Sequence, residues 1–168
     1  MSLEISLLDS KIHRRENFSC GEESLDDYIK RRASQELKKL ISTTFVLTDS
    51  PDNIVLGYYT ISSYGIDTAV LDDALTKSLP RYPLLPATLL GRLAVDLNQK
   101  GKGYGGRLLV NSMKMALDTS KRIASMALVV DAMNDNALNF YLKYEFRQFK
   151  DDPMKLYYSM SDISKLDF

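Results

Sequence analysis

The stretch that decides the fold reads Leu89-Leu90-Gly91-Arg92-Leu93-Ala94-Val95-Asp96, followed by Lys100-Gly101-Lys102-Gly103-Tyr104-Gly105-Gly106-Arg107. An apolar strand runs into a turn with four glycines among six residues, and a helix begins at once. Such a turn directs several backbone N–H groups toward one point, adds the positive end of a helix dipole and lets a phosphate approach. The stretch therefore predicts a site for an anionic cofactor. A glycine turn needed only for chain reversal is the alternative.

The segments on either side predict a mixed α/β sheet covered by helices. Apolar residues at helical spacing, β-branched and aromatic runs, and one nearly continuous apolar run mark the elements. They are a first strand, a long or broken helix over 25–41, a hairpin over 43–48 and 54–61, a strand over 88–96, a helix over 104–120, a strand over 123–130, a helix over 135–144 and a strand over 154–160. A surface loop with Pro80, Pro83 and Pro86 is predicted over 77–86.

Length and composition indicate an ordinary globular protein. Of the 168 residues, 45% are hydrophobic and 26% are charged, and a single domain over residues 1–168 is expected. Cys20 is the one cysteine, which excludes an intramolecular disulfide and favours a reducing compartment. No apolar run approaches the roughly 20 residues that span a bilayer, and the N-terminal residues lack the layout of a signal peptide. A cytoplasmic protein without a membrane partner is therefore expected.

The charges balance, but they are not evenly distributed. Lys and Arg number 22 and Asp and Glu number 22, which excludes a chain that is basic throughout, as nucleic-acid-binding tails are. Residues 99–122, however, carry six basic side chains against one acidic, and residues 30–39 carry five against one. The zero net charge therefore leaves two local basic segments that suit a polyanionic partner.

A second informative segment is Asn134 to Phe146, which follows an apolar strand. Its helical spacing places Ala137 and Tyr141 one turn apart on the same face. Taken alone, Tyr141 is typical of a core tyrosine with a satisfied hydroxyl. Its pairing with the glycine turn favours a catalytic role.

The two segments together resemble the motifs of the GNAT N-acetyltransferase superfamily. The pyrophosphate loop of that family, Arg/Gln-x-x-Gly-x-Gly/Ala, is matched by Lys100, Gly103 and Gly105, with lysine in place of arginine or glutamine. The later pattern, Asn-x-x-Ala-x-x-Phe-Tyr followed by Gly-Phe, is matched by Asn134, Ala137, Phe140, Tyr141 and Phe146, with Glu145 in place of glycine. The resemblance covers essentially the whole chain. It implies the GNAT fold, a central, mostly antiparallel, twisted sheet with splayed central strands and flanking helices.

A narrower resemblance is to the GNAT toxins of bacterial type II toxin–antitoxin systems. It is carried by Phe18-Ser19-Cys20-Gly21 with Ser24-Leu25-Asp26, by Gly57-Tyr58-Tyr59, by Leu90 to Asp96 and by Pro153-Met154-Lys155-Leu156. This resemblance implies an enzyme that transfers acetyl from acetyl-CoA to the α-amino group of aminoacyl-tRNA and so blocks translation. It also implies a ribbon-helix-helix antitoxin as partner, and a homodimer is a further expectation.

The resemblance also implies roles for the site residues. Tyr141 would be the general acid toward the coenzyme A sulfur, protonated at neutral pH because the reference pKa of tyrosine is about 10. Arg92 is expected to bind substrate, with Arg107 a further candidate, and ordinary surface arginines are the alternative; no metal is expected. The residues expected to bind acetyl-CoA are Leu93, Ala94, Val95, Lys100, Gly101, Lys102, Gly103, Tyr104, Gly105, Gly106 and Asn134.

No Glu or His in these motifs is placed to deprotonate an acceptor amine. An α-amino group titrates at about 7.7–8.0 and is partly neutral at physiological pH, whereas a lysine amine at about 10.4 would need a strong base. This difference favours an α-amino acceptor. Two alternatives stay open: a GNAT acetyltransferase for a small-molecule or protein amine, and a non-catalytic module that binds coenzyme A or a partner.

Overall fold

A computed structural model describes residues 2–168. Its strands are β1 (Ser2–Leu7), β2 (Thr43–Ser50), β3 (Ile54–Asp67), β4 (Leu84–Val95), β5 (Ala127–Asp131), β6 (Arg147–Gln148) and β7 (Lys155–Ser159). Its α-helices are α1 (Glu23–Asp27), α2 (Ala33–Lys38), α3 (Asp73–Thr76), α4 (Tyr104–Ser120), α5 (Asp135–Lys143) and α6 (Met160–Ile163). A π-helical turn (Tyr28–Arg32) joins α1 to α2, and 3-10 turns lie at Thr68–Val70 and Leu97–Gln99.

The strands form a seven-stranded sheet in the order β1-β2-β3-β4-β5-β7-β6. Antiparallel pairing joins β1 to β2, β2 to β3, β5 to β7 and β6 to β7. In contrast, β4 pairs in parallel with β5, with Thr88 opposite Leu128. The prediction of a mixed α/β fold with a mostly antiparallel sheet and flanking helices is confirmed.

The chain divides into two compact units. The first comprises the residues up to Ser62 together with Gly91–Ser112, and the second comprises Ser63–Leu90 together with Met113–Phe168. That residues 1–168 form a single domain stays a prediction. Within the described residues, no helix combines the length and the apolar character needed to cross a membrane.

The core of the first unit is built on aromatic rings between β3 and the helices α1 and α2. Tyr28 and Tyr58 are fully buried, and Phe18 packs edge-on against Tyr58 with ring centroids 5.6 Å apart. The Tyr58 hydroxyl donates to the Leu25 carbonyl at 2.6 Å. On the other face of β3, the hydroxyl of Tyr59 donates to Oδ1 of Asn111 in α4 at 2.6 Å, as the alternation of side chains along a strand requires. Hydrogen bonds therefore hold β3 from both faces.

The core of the second unit surrounds β5. Ala127, Leu128, Val129 and Val130 are fully buried, which confirms the prediction of a strand covered on both faces. Phe149 stacks on Tyr157 of β7 with ring centroids 5.0 Å apart. This aromatic pair extends the apolar core beyond the strand itself.

The helix expected over 25–41 is broken, and the strand expected from residue 123 begins later. The Ala33 N–H donates to the carbonyl of Tyr28, five residues back, and this bond defines the π-helical turn. The N–H groups of Arg122 and Ile123 donate to the Thr119 carbonyl and close the end of α4, so β5 starts only at Ala127.

Other differences concern the loop over 77–86 and the shortest elements. The loop is shorter than expected because β4 already begins at Leu84, and β3 continues to Asp67 instead of ending at residue 61. Sequence patterns do not predict α3, α6 or β6. Their lengths of four, four and two residues are too short to show a period.

Close packing at Gly57 leaves no room for a side chain between β3, β4 and α4. A Cβ at this position would lie 2.8 Å from Cδ1 of Leu108 in α4 and 2.9 Å from the carbonyl oxygen of Ala94 in β4. The backbone oxygen of a paired strand cannot move aside as the end of a flexible side chain can. The glycine therefore sets the distance between the helix and the strands.

We expect Gly57→Ala to lower the free energy of unfolding by about 1–3 kcal/mol, the usual cost of overpacking. Gly65→Ala in the same strand is the control, because its Cβ would meet only side-chain atoms of Leu84, at 3.7 Å or more. Urea unfolding followed by circular dichroism measures both variants. Equal stability of the two variants would contradict the packing argument.

Candidate active site

The glycine turn lies open in front of α4. Gly101 and Gly103 have φ angles of +82° and +79°, in the left-handed region that favours glycine, and a Cβ at either would meet nothing within 4 Å. The Arg107 N–H donates to the Gly103 carbonyl at 3.1 Å. The N–H groups of residues 104–106 are therefore the N-terminal donors for which an α-helix has no acceptor of its own. This open backbone fits a diphosphate group.

Asp96 fixes the chain just before the turn. Its N–H donates to the Leu56 carbonyl at 2.9 Å, and its buried carboxylate accepts the N–H groups of Asn98 at 2.9 Å and of Ser19 at 3.1 Å. The Leu97 N–H also donates to the Ser19 carbonyl, at 2.8 Å. The sequence motifs include Asp96 but assign it no role. Aspartate is a common cap directly before a short helical turn, and this position is the sequence signal for its structural role.

The residues of β4 expected to bind the cofactor alternate between two faces. Ala94 is buried in the same cluster as Tyr28 and Tyr58. Leu93 and Val95 are half-buried and point to the opposite face, on which α4 packs. The exposed basic side chains around the turn are Lys100, Lys102 and Arg107.

Arg92 stacks on an aromatic ring. Its guanidinium carbon lies 3.5 Å from the ring centroid of Tyr28, a cation–π contact. The Tyr28 hydroxyl donates to Oε1 of Glu36 at 2.9 Å. Within residues 2–168, no carboxylate oxygen lies within 4.0 Å of the Arg92 guanidinium nitrogens. The predicted substrate-binding arginine is thus held in place by a ring and not by an acid.

In the second unit, Asn134 is the N-cap of α5. Its Oδ1 accepts the Ala137 N–H at 2.9 Å, so the side-chain amide nitrogen is the group that remains for a cofactor. At the other end of this helix, Glu145 has a φ of +70°, a left-handed conformation. This explains why the resembling family has glycine at the matching position.

Tyr141 is buried on α5, with 5% of its surface exposed. Its ring packs edge-on against Phe140 and Phe146, with ring centroids 5.3 and 5.5 Å away. Burial, and secondarily the charge of Asp131, raises the pKa of the Tyr141 phenol above its ordinary value. A phenol that keeps its proton throughout the neutral range can donate it to a leaving group.

The expected site residues fall into two sets. Arg92, residues 93–95 and the glycine turn over 100–106 lie together in the first unit. Asn134 and Tyr141 lie on α5 in the second unit.

The chain has clear relatives among characterised proteins, although no protein-family model matches it. A tRNA-acetylating toxin from Mycobacterium tuberculosis is 33% identical over 150 residues, which cover 89% of this chain and 88% of the relative. This chain belongs to the tRNA-acetylating toxins of the GNAT superfamily.

Solved structures of another such toxin, AtaT, match this chain over nearly its full length. AtaT complexed with acetyl-methionyl-tRNAfMet has a TM-score of 0.91 and 27% identity, covering 97% of this chain and 98% of that one. AtaTR bound with acetyl-CoA has a TM-score of 0.84 and 27% identity, covering 96% of both chains. A tyrosine-to-phenylalanine mutant of AtaT bound to the C-terminus of the antitoxin AtaR has a TM-score of 0.83 and 25% identity, covering 96% of both.

We expect Gly103→Ala in this GNAT toxin to weaken acetyl-CoA binding by about tenfold, or about 1.4 kcal/mol, because the new Cβ enters the open space in front of the turn. Gly21→Ala is the control for backbone strain: its φ of +95° is left-handed too, and its Cβ would meet only the Leu97 side chain, at 3.5 Å, an ordinary contact distance. Calorimetric titration gives both affinities. Equal affinity in the two variants would refute the assignment of the turn.

Two substitutions separate the capping role of Asn134 from its expected role in cofactor binding. Asn134→Ala should lower the free energy of unfolding by about 1 kcal/mol through loss of the cap. Asn134→Ser keeps a capping oxygen and removes the amide nitrogen, and we expect it to retain stability while raising the KM for acetyl-CoA. An unchanged KM in the serine variant would restrict Asn134 to capping.

Proposed function

We propose that this chain is an acetyl-CoA-dependent N-acetyltransferase whose acceptor is the α-amino group of aminoacyl-tRNA, so that it blocks translation. The observation that carries the proposal is the open glycine turn in front of α4. The relation to AtaT, which has been solved with acetyl-methionyl-tRNAfMet, supports the acceptor.

The residues of the first unit suit coenzyme A. When bound, acetyl-CoA supplies an acetyl group activated as a thioester. The N–H groups of residues 104–106 and the exposed Lys100, Lys102 and Arg107 would hold its phosphates. The backbone of residues 93–95 would bind the pantetheine arm and polarise the thioester carbonyl through a preorganised N–H donor. The relation to acetyl-CoA-bound AtaTR supports this assignment.

Tyr141 is the proton donor of the proposed mechanism. Its Oη would give a proton to the departing sulfur as the acyl carbon–sulfur bond breaks, since sulfur leaves more readily as a thiol than as a thiolate. The phenolate would regain a proton from the acceptor nitrogen, which loses one when the amide forms. The raised pKa of Tyr141 supports this role, because the phenol keeps its proton at about pH 8, where a large fraction of the acceptor amine is neutral.

An aminoacyl-tRNA suits the acceptor side for two reasons. Its α-amino group titrates at about 7.7–8.0, so part of it is neutral without a protein base. Its phosphates suit the basic side chains of residues 30–39. These are Lys30, Arg31, Arg32, Lys38 and Lys39, and all of them are exposed. A cytoplasmic location follows from this acceptor.

We propose an antitoxin as the partner of the chain, and the similarity to AtaT bound to the C-terminus of the antitoxin AtaR supports it. That this antitoxin is of the ribbon-helix-helix class stays a prediction from the family resemblance. A homodimer stays a prediction.

Radiolabelled acetyl-CoA tests the proposed function. We expect label in charged tRNA and none in deacylated tRNA, and we expect Tyr141→Phe to lower kcat by at least about 100-fold with unchanged cofactor affinity. The wild-type rate should be half-maximal at about pH 7.7–8.0, where the amine is half deprotonated, and level off about one pH unit higher. It should stay level past about pH 10, because the pKa of Tyr141 is raised above that ordinary tyrosine value.

Tyr144→Phe is the control, because it also removes a tyrosine hydroxyl from this segment. Tyr144 lies at the C-terminal end of α5 and packs on Phe140. If label enters a small-molecule or protein amine and not charged tRNA, the chain is a GNAT acetyltransferase with that amine as acceptor. Full activity of Tyr141→Phe would remove Tyr141 from the mechanism.

A further inference from the structure

Arg92 presents hydrogen-bond donors that the described protein does not use. Its guanidinium lies over the Tyr28 ring at 3.5 Å, and within residues 2–168 it makes neither an ion pair nor a hydrogen bond. Stacking occupies only the face of the guanidinium, so the N–H groups in its plane remain available as donors. A planar fork of this kind matches the oxygens of a phosphate.

Tyr28 is itself held rigidly. Its side chain is fully buried, and its hydroxyl donates to Oε1 of Glu36 at 2.9 Å. It begins the π-helical turn, a rare conformation that is frequent at functional sites. Arg32, which ends the same turn, brings its guanidinium carbon to 5.4 Å from the same ring centroid. One ring therefore positions two cations.

The face of β4 decides which phosphate Arg92 meets. Ala94, two residues further along the strand, packs in the same cluster as Tyr28. Helix α4, into which the glycine turn leads, packs on the opposite face, where Leu108 approaches Gly57. Arg92 therefore lies on the side of the strand away from the helix that follows the phosphate turn, which favours a phosphate of the acceptor over one of the cofactor.

We propose that Tyr28 is a positioning residue which, anchored by Glu36, presents Arg92 and Arg32 to a backbone phosphate of the acceptor tRNA. This inference rests on the proposed function. A guanidinium already oriented by stacking loses little freedom when it binds. Tyr28 thus contributes to tRNA affinity without touching the RNA.

Three single variants and one double variant test the inference. Arg92→Lys keeps the charge and loses the planar fork, Tyr28→Leu removes the ring, and Tyr28→Phe keeps the ring and loses the bond to Glu36. We expect the first two to raise the KM for charged tRNA by roughly 10- to 100-fold and Tyr28→Phe by roughly two- to tenfold, the scale of charged and neutral hydrogen bonds. The kcat and the KM for acetyl-CoA should not change.

A double mutant distinguishes positioning from a general loss of structure. If Tyr28 acts through Arg92 and Arg32, the two losses overlap: the Tyr28→Leu/Arg92→Lys protein binds charged tRNA more tightly than the product of the two single-variant losses predicts. A fully multiplicative loss would contradict the positioning role. Arg14→Lys is the matched control and should keep the wild-type KM, because Arg14 is an exposed arginine of the same unit that pairs with Glu16 at 3.7 Å. If Tyr28→Leu does not fold by circular dichroism, Tyr28→Phe and Arg92→Lys carry the test.

The outcomes separate this inference from the proposed function. If the wild type acetylates charged tRNA and the variants keep its KM, or if the KM for acetyl-CoA rises instead, the positioning role is wrong and the proposed function stands. If the wild type acetylates no charged tRNA, the proposed function fails. Filter binding of deacylated tRNA then decides: weaker binding by Arg92→Lys and Tyr28→Phe supports the phosphate site, and equal binding overturns it.

Discussion

Helix α4 packs so tightly on β3 and β4 that residue 57 cannot carry a side chain, since a Cβ there would meet Leu108 and the Ala94 carbonyl at less than 3 Å. This contact places the first turn of α4 relative to the end of β4. The chain between them has to turn within residues 96–103. Left-handed glycines at 101 and 103 and the hydrogen bonds of Asp96 allow that turn, and the free N–H groups of α4 face outward as a result.

The side chains of β4 alternate, so that one strand presents different residues to the proposed cofactor side and to the proposed acceptor side. Leu93 and Val95 lie on the α4 face, beside the proposed cofactor path, whereas Arg92 and Ala94 lie on the face covered by Tyr28 and Tyr58. A one-residue change of register would exchange the two sets. The packing of Gly57 against Ala94 of β4 and Leu108 of α4 therefore affects both the proposed cofactor side and the proposed acceptor side.

The neutral net charge conceals an uneven surface. The basic side chains of residues 30–39 are exposed, and so are those around the glycine turn, and all of them lie in the first unit. Arg92 differs from them because it is half-buried on an aromatic ring and has no acidic partner among the described residues. A nucleic acid meets such a surface locally, so the overall balance says little about its affinity.

Sequence patterns alone predict the glycine turn, the hairpin, and the helix over 104–120, whose bounds agree with α4. These features depend on glycine's freedom at positive φ and on apolar periodicity, which are properties of neighbouring residues. Sequence patterns do not show three other features: the π-helical turn, the hydrogen bond from the Ser19 N–H to Asp96, and the stacking of Arg92 on Tyr28. Asp96 and Ser19 are 77 residues apart, and only the packing of strand against helix brings such pairs into contact. The sequence by itself thus determined the open glycine turn, because glycine's freedom at positive φ is a local property. The tertiary structure decided that Arg92 stacks on Tyr28 on the other face of the strand, because that contact joins residues far apart in the chain.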